Sequence, residues 1–402
     1  MQNEGEDVDP MAQAKKRKLF AMNPVIIVLG LVSFFTDMSS NMIVPILPLY
    51  LTTVLHVQVQ SIGIIEGIVE STASILKLYS GRITDRVGKH KILMLIGYGL
   101  SNLTKPFFAL SASWEQVLMI RFSDRFGKGI RTSPRDALIA NSTIKEERGK
   151  AFGFRRAMDA LGAALGPLVA FGVLAMSANN YRLVFWLSVI PGILAVALIV
   201  FFLKEKKSSN TGKQSKLPQI EFKNLNRRFI WFSLISTLFA VGNFSDAFLA
   251  LRALDAGILP ALIPLAFFAF NMSSSIFSMP VGMLSDRIGR RPVLISGFFI
   301  FALIYFGFGM VKSVAWIWVL FVLYGIYYAF TEGIQKAYIA DIVPEGLRGT
   351  AMGTYNALTG LAALPASIIA GFLWQTFGPG VAFSTSSIIA ILAALLMMIF
   401  RI

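Results

Sequence analysis

Apolar stretches of roughly 20 residues follow one another along this chain with only short polar turns between them. A stretch of that length crosses the hydrocarbon core of a bilayer as a helix, because backbone N–H and C=O groups must find partners within their own segment there. The alternating pattern of barrel strands is absent. The pattern predicts twelve helical spans, at about 24–50, 60–80, 92–110, 114–135, 149–176, 183–203, 229–252, 260–282, 293–312, 315–340, 349–374 and 380–400. The one long internal polar stretch, 204–228, reads as a cytoplasmic linker. It divides a bundle of six helices at 22–203 from a second at 229–402, with 1–21 as a cytoplasmic tail.

Composition agrees with a multi-pass membrane protein: 55% of residues are hydrophobic and 15% charged. The net charge of +15 would suggest nucleic acid in a soluble protein, but here the basic residues gather in alternate loops. Lys15, Lys16, Arg17 and Lys18 precede the first span, Arg82 to Lys91 follow the second, and Lys145, Arg148 and Lys150 follow the fourth. The opposite loops hold little beyond Arg182, Arg252 and Lys312. The positive-inside rule then places both termini and the linker in the cytoplasm and the protein in the plasma (bacterial inner) membrane. The N-terminal residues lack the features of a cleavable signal peptide. Without cysteine, disulfides, thiolate metal sites and a thiol nucleophile are excluded, and His56 and His90 in opposite loops argue against a two-histidine metal site. The expectation is no enzyme, no cofactor and no nucleic-acid partner.

The two predicted halves repeat one another. Ala137, Ile139, Ala140, Arg148, Gly149, Ala151 and Gly153 recur 200 positions on, as Ala337, Ile339, Ala340, Arg348, Gly349, Ala351 and Gly353. A nine-residue turn, G-x-x-x-D-R-x-G-[KR], occurs as Gly81, Asp85, Arg86, Gly88, Lys89 and again as Gly282, Asp286, Arg287, Gly289, Arg290. Duplication in parallel orientation accounts for both.

With two such turns correctly placed among twelve spans, the chain resembles the major facilitator superfamily of secondary transporters over essentially its whole length. The resemblance implies an all-α integral membrane fold with twelve transmembrane helices in two pseudo-symmetric six-helix bundles. It also implies that each charged turn gates the cytoplasmic side, Asp85 meeting a helix N-terminus and Gly81 letting a backbone approach. In span 5, Gly153, Gly162, Gly166 and Pro167 are similar to the motif of the superfamily's drug–proton antiporters, with Ala170 in place of a further glycine; small residues there favour close packing and Pro167 a bend. In span 4, Arg121, Gly127 and Gly129 resemble the superfamily's basic motif, Arg125 replacing a glycine and Lys128 adding a charge.

Charges at membrane depth are costly and turn toward a cavity or a partner. Asp37, Glu70 and Asp159 are the proton-carrier candidates, with Arg121 as their modulator. The cavity candidates are Asn41, Glu66, Asp124, Arg125, Lys128 and Arg156 in the first half. In the second they are Asn243, Asp246, Asn271, Glu332 and Asn356, with Tyr327, Tyr328 and Tyr355 as pocket aromatics. Helical spacing lets Asp124 pair with Arg121 or Lys128. Lys105, in span 3, is expected to snorkel or pair locally. Together these readings predict alternating access for a small organic solute, driven by protons, with efflux of an amphiphilic or anionic compound as the first choice. Import of a nutrient or metal chelate, such as a siderophore, and a non-transporting sensor or scaffold are the alternatives. One chain holds both halves, so a monomer suffices.

Overall fold

The computed structural model describes residues 22–87, 90–144, 147–203, 226–344 and 347–400, without the side chains of 77–79 and 81–87. Among these residues it is helical throughout, without strands. Twelve spans are present. Span 1 is Pro24–Ile43 continued by Leu47–Thr53, span 2 is Val59–Val87, and span 3 is His90–Leu103 continued by Lys105–Leu110. Spans 4, 5 and 6 are Trp114–Asn141, Arg148–Met176 and Tyr181–Phe202. Span 7 is Arg227–Gly242 continued by Ala247–Asp255, and span 8 is Ile263–Ile288, led in by a short 3-10 turn at Pro260–Leu262. Spans 9 to 12 are Arg290–Met310, Val314–Ile342, Arg348–Phe377 and Pro379–Ile399. The predicted segments are found within a few residues, although spans 2, 4 and 8 run a further six or seven residues past their expected ends on the side of the repeated turns. Ten of the twelve are long and apolar enough to cross a bilayer. The other two are span 3, interrupted at Thr104, and span 4, whose charges lower its hydropathy.

Three spans break, and the causes differ. Pro45 follows the first part of span 1, and Pro106 opens the second part of span 3; proline lacks an N–H and clashes with the preceding turn. Span 7 breaks at Asn243–Asp246 without a proline. There Ser245 Oγ accepts a hydrogen bond from the Ala247 N–H at 3.3 Å, replacing a helical bond with a side-chain one. The breaks in spans 1 and 7 lie about 200 residues apart, at corresponding places in the two halves.

Small residues set the packing. Side chains built on Gly162 and Gly166 would place Cβ 2.3 Å from Phe34 O and 2.5 Å from Met38 O, so span 5 lies backbone to backbone on span 1. The same device joins the halves. A Cβ on Gly63 would lie 2.3 Å from Ser367 O, and one on Gly67 2.9 Å from Leu364 O. Val59 N–H donates to Gln375 Oε1 at 3.2 Å, Ser71 Oγ to Gly360 O at 3.2 Å, and Asn271 Nδ2 to Ala163 O at 3.1 Å. This seam holds the halves together along the part of span 2 that lies away from the repeated turns.

Candidate functional site

Between the halves lies a cavity of about 740 Å³. From the first half it is lined by Asp37, Asn41, Glu66 and Glu70, and by Asp124, Arg125 and Lys128 around Arg121. Asn243, Asp246, Glu332 and Asn356 line it from the second half, with Tyr327, Tyr328 and Tyr355. Asp159, Arg156 and Asn271 are not among the lining residues. Asp159 lies behind the wall, paired with Arg155 at 2.5 Å one turn away and close enough to Asp37 for the two carboxylates to repel. Arg156 reaches across the halves to Glu332 at 3.0 Å, and Asn271 spends its amide on the seam.

Spans 2 and 4 run alongside each other and pair their charges in register. Arg121 Nη2 donates to both oxygens of Glu66, at 2.6 and 2.7 Å, with both side chains buried. One turn further, Arg125 meets Glu70 at 3.1 Å. Asp124 was expected to take Arg121 or Lys128 on its own helix; Arg121 instead takes Glu66 from the neighbouring helix, because the Glu66 carboxylate lies in hydrogen-bond reach and both groups are shielded from solvent. The charge of Asp124 acts on Arg125 and on Lys105 across the cavity wall.

Ser245, at the break in span 7, donates to Glu66 Oε2 at 3.0 Å. One carboxylate is therefore held by an arginine of its own half and a hydroxyl of the other. Sequence reasoning overlooked Ser245, although the cluster Asn243-Phe244-Ser245-Asp246 in an apolar span was a visible signal, as was its correspondence to the Pro45 break. Lys105 corrects another expectation: it is 3% exposed, lines the cavity, and donates from Nζ to Ser39 Oγ, which in turn donates to Ser188 O. Buried at the break before Pro106, the amine takes a hydroxyl partner inside the bundle in place of the membrane surface. Arg131, also overlooked, lines the cavity with its guanidinium 4.3 Å from the centre of the Tyr98 ring.

Across the cavity, the second half is aromatic. Tyr324 OH donates to Asp246 Oδ1 at 2.7 Å, and Asn243 Nδ2 to Tyr327 OH at 3.3 Å. Behind these, Phe239 stacks on Phe298 at 4.1 Å and Tyr305 on Phe301 at 3.9 Å.

Of the repeated turns, the surroundings of Gly81, the side chains of Asp85 and Arg86 and the whole of Gly88 and Lys89 lie outside the described residues. In the second turn, Gly289 has φ +94°, a conformation L side chains rarely adopt, and it links spans 8 and 9. Arg290 meets Asp286 at 2.6 Å and Asp341 of span 10 at 3.4 Å, and donates to Ser285 Oγ at 2.5 Å. Arg287 is exposed, and open space lies beside Gly282. In span 5, open space likewise lies beside Gly153, and Pro167 is buried inside the helix.

The model of the Major Facilitator Superfamily matches residues 29–252 and 230–402. The chain belongs to the major facilitator superfamily. An uncharacterized MFS-type transporter of Methanocaldococcus jannaschii is 38% identical over 376 residues, covering 92% of this chain and 93% of that protein. The quinolone resistance protein NorA of Staphylococcus aureus is 25% identical over 61% of this chain and 67% of its own length. A probable 4-methylmuconolactone transporter of Cupriavidus pinatubonensis is 30% identical over 54% of this chain and 52% of its own. The crystal structure of the nucleoside transporter NupG shares the fold, with a TM-score of 0.77 at 14% identity over 94% of this chain and 99% of that one. This superfamily member is thus a multi-pass membrane transporter of small molecules and not an enzyme.

Proposed function

We propose that the protein exports an amphiphilic or anionic organic compound in exchange for protons, by alternating access, across a plasma membrane with both termini and the 204–228 linker in the cytoplasm. The observation that carries this reading is the Glu66 carboxylate, held at once by Arg121 and by Ser245 of the opposite half. A proton on Glu66 removes the charge that Arg121 grips and weakens the acceptor that Ser245 uses. Protonation and the contact between halves are then linked through one side chain. Asp37 and Glu70 line the same cavity, and Asp159 stands behind Asp37, so each is a further station for a proton, with Arg121 setting the charge they feel. The two turns, Asp85 and Asp286 with their basic partners, serve as latches on the cytoplasmic side. Similarity to NorA supports the direction of export.

The specific observation in favour of import is the similarity to the 4-methylmuconolactone transporter. Proteoliposomes loaded with a pH-sensitive dye test both directions. Export by antiport predicts substrate-dependent proton flux into the compartment from which substrate leaves; import by symport predicts that both move together. Glu66→Gln is expected to abolish the proton flux while leaving substrate exchange without a gradient. If no compound from a broad panel moves protons, the sensor or scaffold reading replaces this one.

A further inference from the structure

The charges lining the cavity do not balance within either half, and the two imbalances have opposite sign. The first-half wall carries five basic side chains against four acidic ones, and the second-half wall two acidic side chains against one basic. Pairing narrows the imbalance to particular atoms. Glu332 is met by Arg156 at 3.0 Å and Lys336 at 3.6 Å. Asp246 has no ion pair among the described residues: Tyr324 holds Oδ1, and none of these residues donates to Oδ2. Beside it stand Tyr327 and Tyr328, with ring centres 5.5 Å apart and planes at 81°, and Tyr324 lies 5.4 Å from Tyr328. In the opposite wall, Lys105 Nζ rests on the Ser39 hydroxyl, and Arg131 lies over Tyr98 with its buried Nη1 lacking an acceptor. Neither has a carboxylate at ion-pair distance among the described residues.

A carboxylate at membrane depth without a base calls for a cation, and tyrosine faces beside it attract an organic ammonium. A lysine and an arginine that no carboxylate pairs, with Asp124 and Asp37 acting on Lys105 only from beyond ion-pair distance, call for an anion. The cavity volume suits one small organic molecule. We infer that the compound carried is a zwitterion, its ammonium group at Asp246 against Tyr327 and Tyr328 and its anionic group at Lys105 and Arg131. This rests on the transport reading above and narrows it from amphiphilic or anionic to doubly charged.

The test is binding to the purified full-length protein, read as a thermal shift in detergent. The probes are aromatic amino acids and aromatic dipeptides, each with its N-acetyl form, which keeps only the anion, and its methyl ester, which keeps only the cation. At least one parent compound is expected to stabilise the protein at a concentration tenfold or more below either derivative. Asp246→Asn is expected to make parent and N-acetyl form equivalent, and Lys105→Gln to make parent and ester equivalent. Asp246→Glu is expected to keep the preference, which separates loss of charge from loss of folding. Parents that bind no better than their derivatives, a panel with no response, or a preference that survives Asp246→Asn would overturn the inference. Binding needs no gradient. A zwitterion preference without proton-linked flux removes the antiport reading alone, whereas proton-linked flux of singly charged compounds at equal affinity removes this inference alone.

Discussion

The two walls of the cavity come from halves that repeat one another in sequence, yet they are held together by different physics. The first-half wall is ionic: Glu66 with Arg121 and Glu70 with Arg125 bind span 2 to span 4. The second-half wall is aromatic, a continuous set of rings running from Phe239 through Phe301 and Tyr305 to Tyr324, Tyr327 and Tyr328. Lipid tails are as apolar as side chains, so helix association in a bilayer draws on packing and hydrogen bonds more than on burial. Each wall uses one of these. An ionic wall changes its contacts when a proton arrives; an aromatic wall keeps its shape. On the proposed proton coupling, the difference makes the first half the responsive one and the second the rigid one, a division that substitutions can break.

The largest effect is expected at Arg121. Removing one member of a buried pair leaves the other uncompensated, at a cost of about 3–5 kcal/mol. Arg121→Ala should therefore lower the melting temperature strongly, and the double variant Glu66→Gln, Arg121→Gln should recover most of the loss while proton-linked flux stays absent. If Arg121→Ala melts like the parent protein, the first-half wall is not held by this pair.

Phe239→Ala probes the other wall. Phe239 is buried between Phe298 and Phe301, and truncating such a ring costs about 3–5 kcal/mol in water-soluble cores. The membrane supplies no hydrophobic gain to lose, so the packing portion remains, and about 2–3 kcal/mol is expected. The loss should be the same at every pH at which the protein is stable, whereas that of Arg121→Ala should shrink as carboxylates protonate. Melting curves across pH separate the two walls.

How much of this the chain revealed depends on the range of the interaction. The spans were legible because each is set by its own hydropathy, and the Gly162 and Gly166 contacts because small residues a turn apart mark a packed face. The partner of Arg121 was not legible. On a lone helix Asp124 is its neighbour three residues away, and only the placement of span 2 beside span 4 brings Glu66 closer. The break in span 7 carries no proline, and its polar cluster was read as cavity lining and not as a backbone interruption. Asp159 was chosen for its type and depth; what places it behind the wall is the rotation of span 5, which Gly162 and Gly166 set by packing on span 1.

Two glycines with equal crowding test whether the halves move as separate bodies. Ala at Gly162 and Ala at Gly63 each bring Cβ to 2.3 Å from a carbonyl oxygen, of Phe34 within the half and of Ser367 across the seam. Overpacking costs about 1–3 kcal/mol. For Gly162→Ala the strain stays inside the first half, and the melting temperature should fall. For Gly63→Ala the halves can part, so the strain should appear as opening of the seam, a population change of about tenfold for 1.4 kcal/mol. The chain has no cysteine, so Ser71→Cys, buried in the seam, supplies a single reporter. Faster labelling by a membrane-impermeant maleimide in Gly63→Ala, but not in Gly162→Ala, is the expected result.

The smallest effect concerns the ion pair that crosses between the walls, Arg156 with Glu332 at 3.0 Å. Its side chains are 58% and 47% exposed, against 7% and 5% for Arg121 and Glu66. An exposed pair gains little, about 0–1 kcal/mol, because water already solvates both charges. Glu332 also has Lys336 at 3.6 Å, so losing Arg156 leaves it a partner. Arg156→Gln should therefore change the melting temperature little, and any change should vanish in about 1 M salt, where screening acts within about 3 Å. A loss as large as that of Arg121→Ala in low salt, relieved in high salt, would show that the walls are locked at the cytoplasmic side by charge. The seam glycines would then be packing without a gate, and the responsive element would lie between the halves and not within the first.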